Sequence, residues 1–112
     1  MDSYEIWCDL KDGSRDLEFS RNVATYLGYL KDKGLIEGYR LTRRKLGFGP
    51  PEIGEFHISI ATRDLAQLDT AFRRAASRDS DVEPLHGGVY SLIKNARFAL
   101  YRDFPDPERN ES

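Results

Sequence analysis

The sequence is short of the residues that most often announce chemistry. It has one cysteine, Cys8, among 112 residues, so neither an intramolecular disulfide nor a multi-cysteine metal centre can form. A single thiol fits a reducing compartment and points to the cytoplasm. The two histidines, His57 and His86, stand at no metal-ligand spacing, so no metal site is expected, and no motif calls for a cofactor. No run approaches the ~18 apolar residues that a membrane helix needs. The start, Met-Asp-Ser-Tyr-Glu, lacks the basic and apolar stretches of a secretory leader. Excess charge of one sign is also missing. Seventeen basic and 19 acidic residues leave a net charge of −2, which speaks against DNA or anionic lipid held by bulk charge.

What is present suits one folded domain. The chain is 39% hydrophobic and 12% aromatic, enough for a single core without staples. Its 32% of charged residues are enough to coat the surface of that core.

Hydrophobic periodicity divides the chain into elements. Residues 4–10 alternate, with Tyr4, Ile6, Cys8 and Leu10 on one face and Glu5, Trp7 and Asp9 on the other. Period two is the mark of a strand with one face in a core. From 16 to 33 the period lengthens, and Phe19, Val23, Tyr26, Leu27 and Leu30 make one helical stripe. Gly34 suits the C′ position of that helix. Gly28 lies inside it and is expected to permit a close approach to the sheet. Residues 36–46 read as a second strand, ended by Gly47-Phe48-Gly49-Pro50-Pro51. A third strand spans 55–61. Asp64 with Gln67 has the form of a capping box and opens a second helix with the stripe Leu65, Leu68, Phe72 and Ala75. Residues 77–84 read as a loop, 85–93 as a short helix weakened by Gly87-Gly88, and 96–103 as a fourth strand.

The order β-α-β-β-α-β, with right-handed crossovers in both βαβ units, gives an α+β fold of ferredoxin-like type. It has one antiparallel sheet in the order 4-1-3-2 and two helices on one face. The domain is expected over 1–104, followed by a polar tail over 105–112.

The other sheet face holds the candidate site residues. It carries Glu5, Trp7 and Asp9, His57 and Ser59, Arg97, Ala99 and Tyr101, and, if Tyr39 and Leu41 pack inward, Arg40, Thr42 and Arg44. This face is too aromatic for plain surface and too polar for plain core. Three readings are open. Two such sheets can pack face to face as a homodimeric barrel around a cavity. An open sheet can stack its Trp and Tyr on bases, as RNA-recognition modules do. Or the face is amphipathic surface with a few exposed rings.

Four segments carry a resemblance. They are Tyr-Glu-Ile-Trp-Cys-Asp-Leu-Lys (4–11), Gly-Tyr-Arg-Leu-Thr-Arg-Arg-Lys-Leu-Gly-Phe-Gly-Pro-Pro (38–51), Glu-Phe-His-Ile (55–58) and Phe-Ala-Leu-Tyr-Arg-Asp-Phe-Pro-Asp (98–106). Through them the chain resembles a family of small bacterial proteins of unknown function. In layout alone it is similar to the dimeric α+β barrel superfamily, which includes cofactor-free monooxygenases and muconolactone isomerase-like enzymes. That similarity implies a homodimer and is compatible with a small organic ligand, but it assigns no reaction.

Within the second face, His57 is the first candidate for proton transfer, with Asp9 or Glu5 to orient it. A histidine bonded within a dimer contact is the plainer alternative. Trp7 and Tyr101 would wall a pocket, and Tyr101 can act as an acid; interface packing is the alternative for both and the stronger one for Trp7. Arg40, Arg44 and Arg97 offer paired donors to an anionic group, although charges on an edge strand also discourage wrong pairing. The run Arg43-Arg44-Lys45 is too short to mark a nucleic-acid partner. The glycine-proline loop lacks the spacing and lysine of a phosphate loop and reads as a rigid hairpin connection, with Phe48 against a pocket or a partner subunit. Cys8 faces the core and should be inert. The expectation is a cytoplasmic homodimer binding a small organic molecule on the second face, with cofactor-independent catalysis by His57, Asp9 and Tyr101 and binding by Trp7, Arg40 and Arg97. The alternative is a non-catalytic binding or interaction module.

Overall fold

The computed structural model describes residues 1–77 and 81–106. Strand β1 runs Asp2–Leu10, helix α1 Asp16–Asp32 after a 3-10 turn at Gly13–Arg15, β2 Gly38–Arg43 and β3 Phe56–Thr62. Helices α2, Leu65–Ala76, and α3, Glu83–Tyr90, precede β4, Ile93–Arg102. The strands form one antiparallel sheet in the order β2-β3-β1-β4, the expected order read from the opposite edge. No helix among the described residues is long and apolar enough to cross a membrane.

Alternation in β1 sends Ile6, Cys8 and Leu10 into the core, where they meet Phe56, Ile58 and Ile60 of β3. Helix α1 buries the five residues of its predicted stripe against them. Each large aliphatic or aromatic side chain removed from water there contributes at most about 1.5–3 kcal/mol. The helix stops in a Schellman motif. Gly34, at φ 72°, donates to the Lys31 carbonyl, and Leu35 donates to that of Leu30.

Several sequence expectations are corrected. Gly28 makes no close approach, since a Cβ added there would meet nothing within 4 Å. Helix α2 turns Leu68, Phe72 and Ala75 of its stripe toward the sheet, with Phe72 half-exposed, but Leu65 stays outside and Gln67 and Ala71 are buried instead. Gln67 anchors the start of the helix. Its backbone N–H donates to the Asp64 carboxylate, its side-chain oxygen accepts from the Arg63 N–H, and its side-chain nitrogen donates to the Gly34 carbonyl. Glu83 and Pro84, expected in a loop, open α3, where proline is suited to the first turn. Residues 78–80 of that expected loop lie outside the described residues, as do 107–112 of the expected tail. On β4, Phe98 and Leu100 point to the helix side but remain 52% exposed each, because the helices do not reach this edge.

The β2–β3 connection is braced from inside. Arg44 Nη2 donates to the carbonyls of Ile53 (2.6 Å) and Pro50 (3.0 Å). The guanidinium that was a candidate for an external anion therefore holds its own loop. Gly54 lies against β1 so closely that any side chain would run into the Cys8 carbonyl. Phe48, at the tip, is exposed.

Candidate functional site

An enclosed volume of about 340 Å³ lies between the sheet and the helices. Its floor is Tyr4 and Ile6 of β1 and Ile58 and Ile60 of β3. Aliphatic side chains of α1 and α2 make most of its roof, and no Lys, Arg, Asp or Glu is among its lining residues. Two aromatic groups line it. In one, His86 stacks on Tyr90 (centroids 4.3 Å apart, 20° between planes) and meets Tyr26 edge-on at 5.7 Å. His86 and Tyr90 are one helical turn apart on α3, which brings their rings together. In the other, Tyr4 lies between Phe72, edge-on at 5.1 Å, and Phe98, parallel at 5.9 Å. Phe72 and Phe98 are half-exposed, so the volume is open to solvent beside them.

The polar groups of this volume are unspent. Among the described residues, none of the hydroxyls of Tyr4, Tyr26 and Tyr90 and neither ring nitrogen of His86 has a hydrogen bond. None of these atoms is sealed from solvent, so each is accessible to water or to the polar groups of a ligand. Burial pushes the Tyr26 hydroxyl up to about 12, with Tyr4 adding to the effect. Burial also raises Tyr4 and Tyr90 and lowers His86 against the opposing influence of Glu83. At neutral pH the site therefore offers three protonated phenols and one neutral imidazole. Cys8 beneath it is pushed up to about 11 by burial and by Asp9, which leaves the thiol un-ionised.

The second sheet face is different in kind. Strand register places Thr42, His57, Trp7 and Arg97 in one row across the sheet, and Arg40, Ser59, Glu5 and Ala99 in the next. Tyr101 lies a row further on, opposite Ser3. The structure thus brings Trp7, His57 and Arg97 together, sets Arg40 one row away and leaves Tyr101 two rows away. The Trp7 and His57 rings stack at 4.8 Å and 4°. His57 Nε2 lies 3.3 Å from Glu5 Oε2, with side-chain exposures of 33% and 14%. Both atoms are sealed from solvent, yet they are not aligned as a hydrogen bond. The Ser59 hydroxyl donates to the other Glu5 oxygen at 3.1 Å. Glu5, not Asp9, is therefore the carboxylate beside His57. Asp9 accepts the Glu55 backbone N–H (2.9 Å) and the Asn95 side-chain amide (3.2 Å), and the first of these bonds is the main cause of its lowered pKa.

The residues around the enclosed volume were partly visible in the sequence. Tyr26 stands in the helical stripe and Tyr4 on the inner strand face, and a tyrosine at a core position brings a hydroxyl that needs a partner. His86 and Tyr90 had no such signal, because the Gly87-Gly88 pair between them weakened the helix that stacks them.

The whole chain, residues 1–112, matches the model of a family of unknown function (DUF6614), and the chain belongs to that family. No curated protein matches it. Among solved structures it is similar to a dimeric ferredoxin-like protein of unknown function from Jannaschia sp. CCS1. The TM-score is 0.67 at 10% identity, over 91% of this chain and 98% of that one. A putative antibiotic biosynthesis monooxygenase from Bordetella bronchiseptica gives 0.61 at 14% identity, over 91% and 96%. SnoaB, a cofactor-independent oxygenase from Streptomyces nogalater, gives 0.59 at 14% identity, over 94% and 97%. At these identities the likeness concerns the fold.

Proposed function

We propose that this protein is a homodimer that binds a small, largely apolar organic molecule between its sheet and helices, with the second sheet face as the contact between copies. The observation that carries the reading is the enclosed volume of about 340 Å³ with no charged lining residue and four unpartnered polar groups. Concave, mostly apolar sites with a few convergent polar groups are the usual form of small-molecule pockets. The dimeric neighbour from Jannaschia supports the assembly, and a face bearing Trp7 and Tyr101 has the composition of an interface. Cofactor-independent proton transfer or oxygenation on the bound molecule is the enzymatic form of this reading.

A second reading puts the ligand on the other face, with His57 and Tyr101 in catalysis, Glu5 in the place expected of Asp9, and Trp7, Arg40 and Arg97 in binding. The flat Trp7–His57 stack beside the sealed Oε2 of Glu5 favours it.

Titration with naphthalene, followed by ligand fluorescence, separates the two. The Ala71→Leu variant, which fills the enclosed volume, should lose at least about tenfold in affinity, while Trp7→Ala keeps it. Loss in Trp7→Ala with retention in Ala71→Leu transfers the site to the second face. Absence of binding to the unaltered protein overturns the pocket reading.

A further inference from the structure

The polar equipment of the enclosed volume is more specific than its shape. We infer that its occupant is an uncharged aromatic molecule bearing a phenolic hydroxyl, bound with His86 as the acceptor of that hydroxyl's proton and Tyr26 and Tyr90 as donors to its oxygen functions. The inference rests on the enclosed volume being the ligand site.

Three observations lead there. First, charge is excluded. No basic or acidic side chain lines the volume, and a buried ion without a partner is costly. A carboxylate or phosphate ligand would find phenols and an imidazole but no cation. Secondly, the polar groups sit on flat rings. The Tyr90–His86 stack makes a plate, and Tyr26 stands perpendicular to it, so a planar ring can lie on one and meet the other edge-on. Thirdly, the hydrogen-bond capacity matches. Burial keeps the imidazole neutral and the phenols protonated at pH 7. The neutral imidazole presents one nitrogen lone pair. A phenolic O–H is the donor that meets this lone pair while offering an aromatic body to the walls. Its oxygen can then accept from the tyrosines, which have no other partner among the described residues.

The test compares three probes of one shape at pH 7: naphthalene, 2-naphthol and 2-naphthoate. We expect 2-naphthol to bind at least about tenfold more tightly than naphthalene, the order of one or two added hydrogen bonds, and 2-naphthoate to bind more weakly than either. His86→Phe should bring 2-naphthol down to the level of naphthalene without weakening naphthalene. His86→Gln, which keeps an acceptor, should recover part of the preference. The unfolding midpoint of each variant shows whether it is folded. Equal affinities for naphthalene and 2-naphthol, or tightest binding of 2-naphthoate, overturn the inference and leave the pocket reading standing. Binding of none of the three overturns both.

Discussion

Asp9 and His57 show how differently two polar residues on one sheet face can be employed. The Asp9 carboxylate is spent on the Glu55 N–H and the Asn95 amide, so it pins the start of β3 and the irregular β1–β4 pairing beside it. We expect Asp9→Ala to cost about 1–2 kcal/mol at pH 7, the scale of hydrogen bonds to a charged acceptor. Because the folded-state pKa is lowered, this contribution is complete above the unfolded value of about 3.9. It is lost as pH falls through the folded value. Urea unfolding of both proteins should therefore show a gap that is constant from neutral pH to about pH 4 and closes below it. Alternation alone placed both residues on the correct face. It could not separate their roles, because the partners of Asp9 lie 46 and 86 residues away and are set by strand register. The same holds for the Trp7–His57 stack, which exists only because β1 and β3 pair those two residues directly.

At the scale of elements, helices followed the sequence where the stripe was purely apolar. Helix α1 turned the expected side to the core because Phe19, Val23, Tyr26, Leu27 and Leu30 leave no competing face. Helix α2 did so in part: Leu68, Phe72 and Ala75 of its stripe face the sheet, but Leu65 points outward and Gln67 is buried beside the stripe, where its side chain makes two hydrogen bonds. A periodicity count scores glutamine as polar and cannot see those bonds. Gly28 tests the reverse case. Nothing lies within reach of an added Cβ, so the residue brings helix-interior flexibility without a packing role. Gly28→Ala should stabilise the protein by about 0.5–1 kcal/mol, mainly by reducing the freedom of the unfolded chain. A higher urea midpoint at unchanged slope would register it.

For the whole molecule, the proposed function gives the two faces of the sheet different tasks, and the tasks should then separate experimentally. Trp7→Lys places a second cation beside Arg97 on the second face and would bury unpaired charge in a face-to-face dimer. Light scattering should then move from twice 12.9 kDa to 12.9 kDa, with naphthalene binding retained. A variant that stays dimeric would remove this face from the contact. The layered architecture itself was legible, because two βαβ units with consistent inner faces permit few topologies. The enclosed volume was not. Whether helices close tightly on a sheet depends on how far α2 and α3 stand from it, and Phe98 and Leu100 on the uncovered edge show that they do not seal the β4 side.

Strand β1 serves both faces of the sheet within nine residues. Tyr4 and Ile6 floor the enclosed volume, while Glu5 and Trp7, between and beside them, belong to the second face. If the proposed function holds, substitutions along β1 retune one task at a time, odd positions for contact and even positions for occupancy. Gaining or losing a single residue here has no such selectivity, because it exchanges the two sets of side chains along the remaining length. The strand should accept exchange of its residues far more readily than any change in their number.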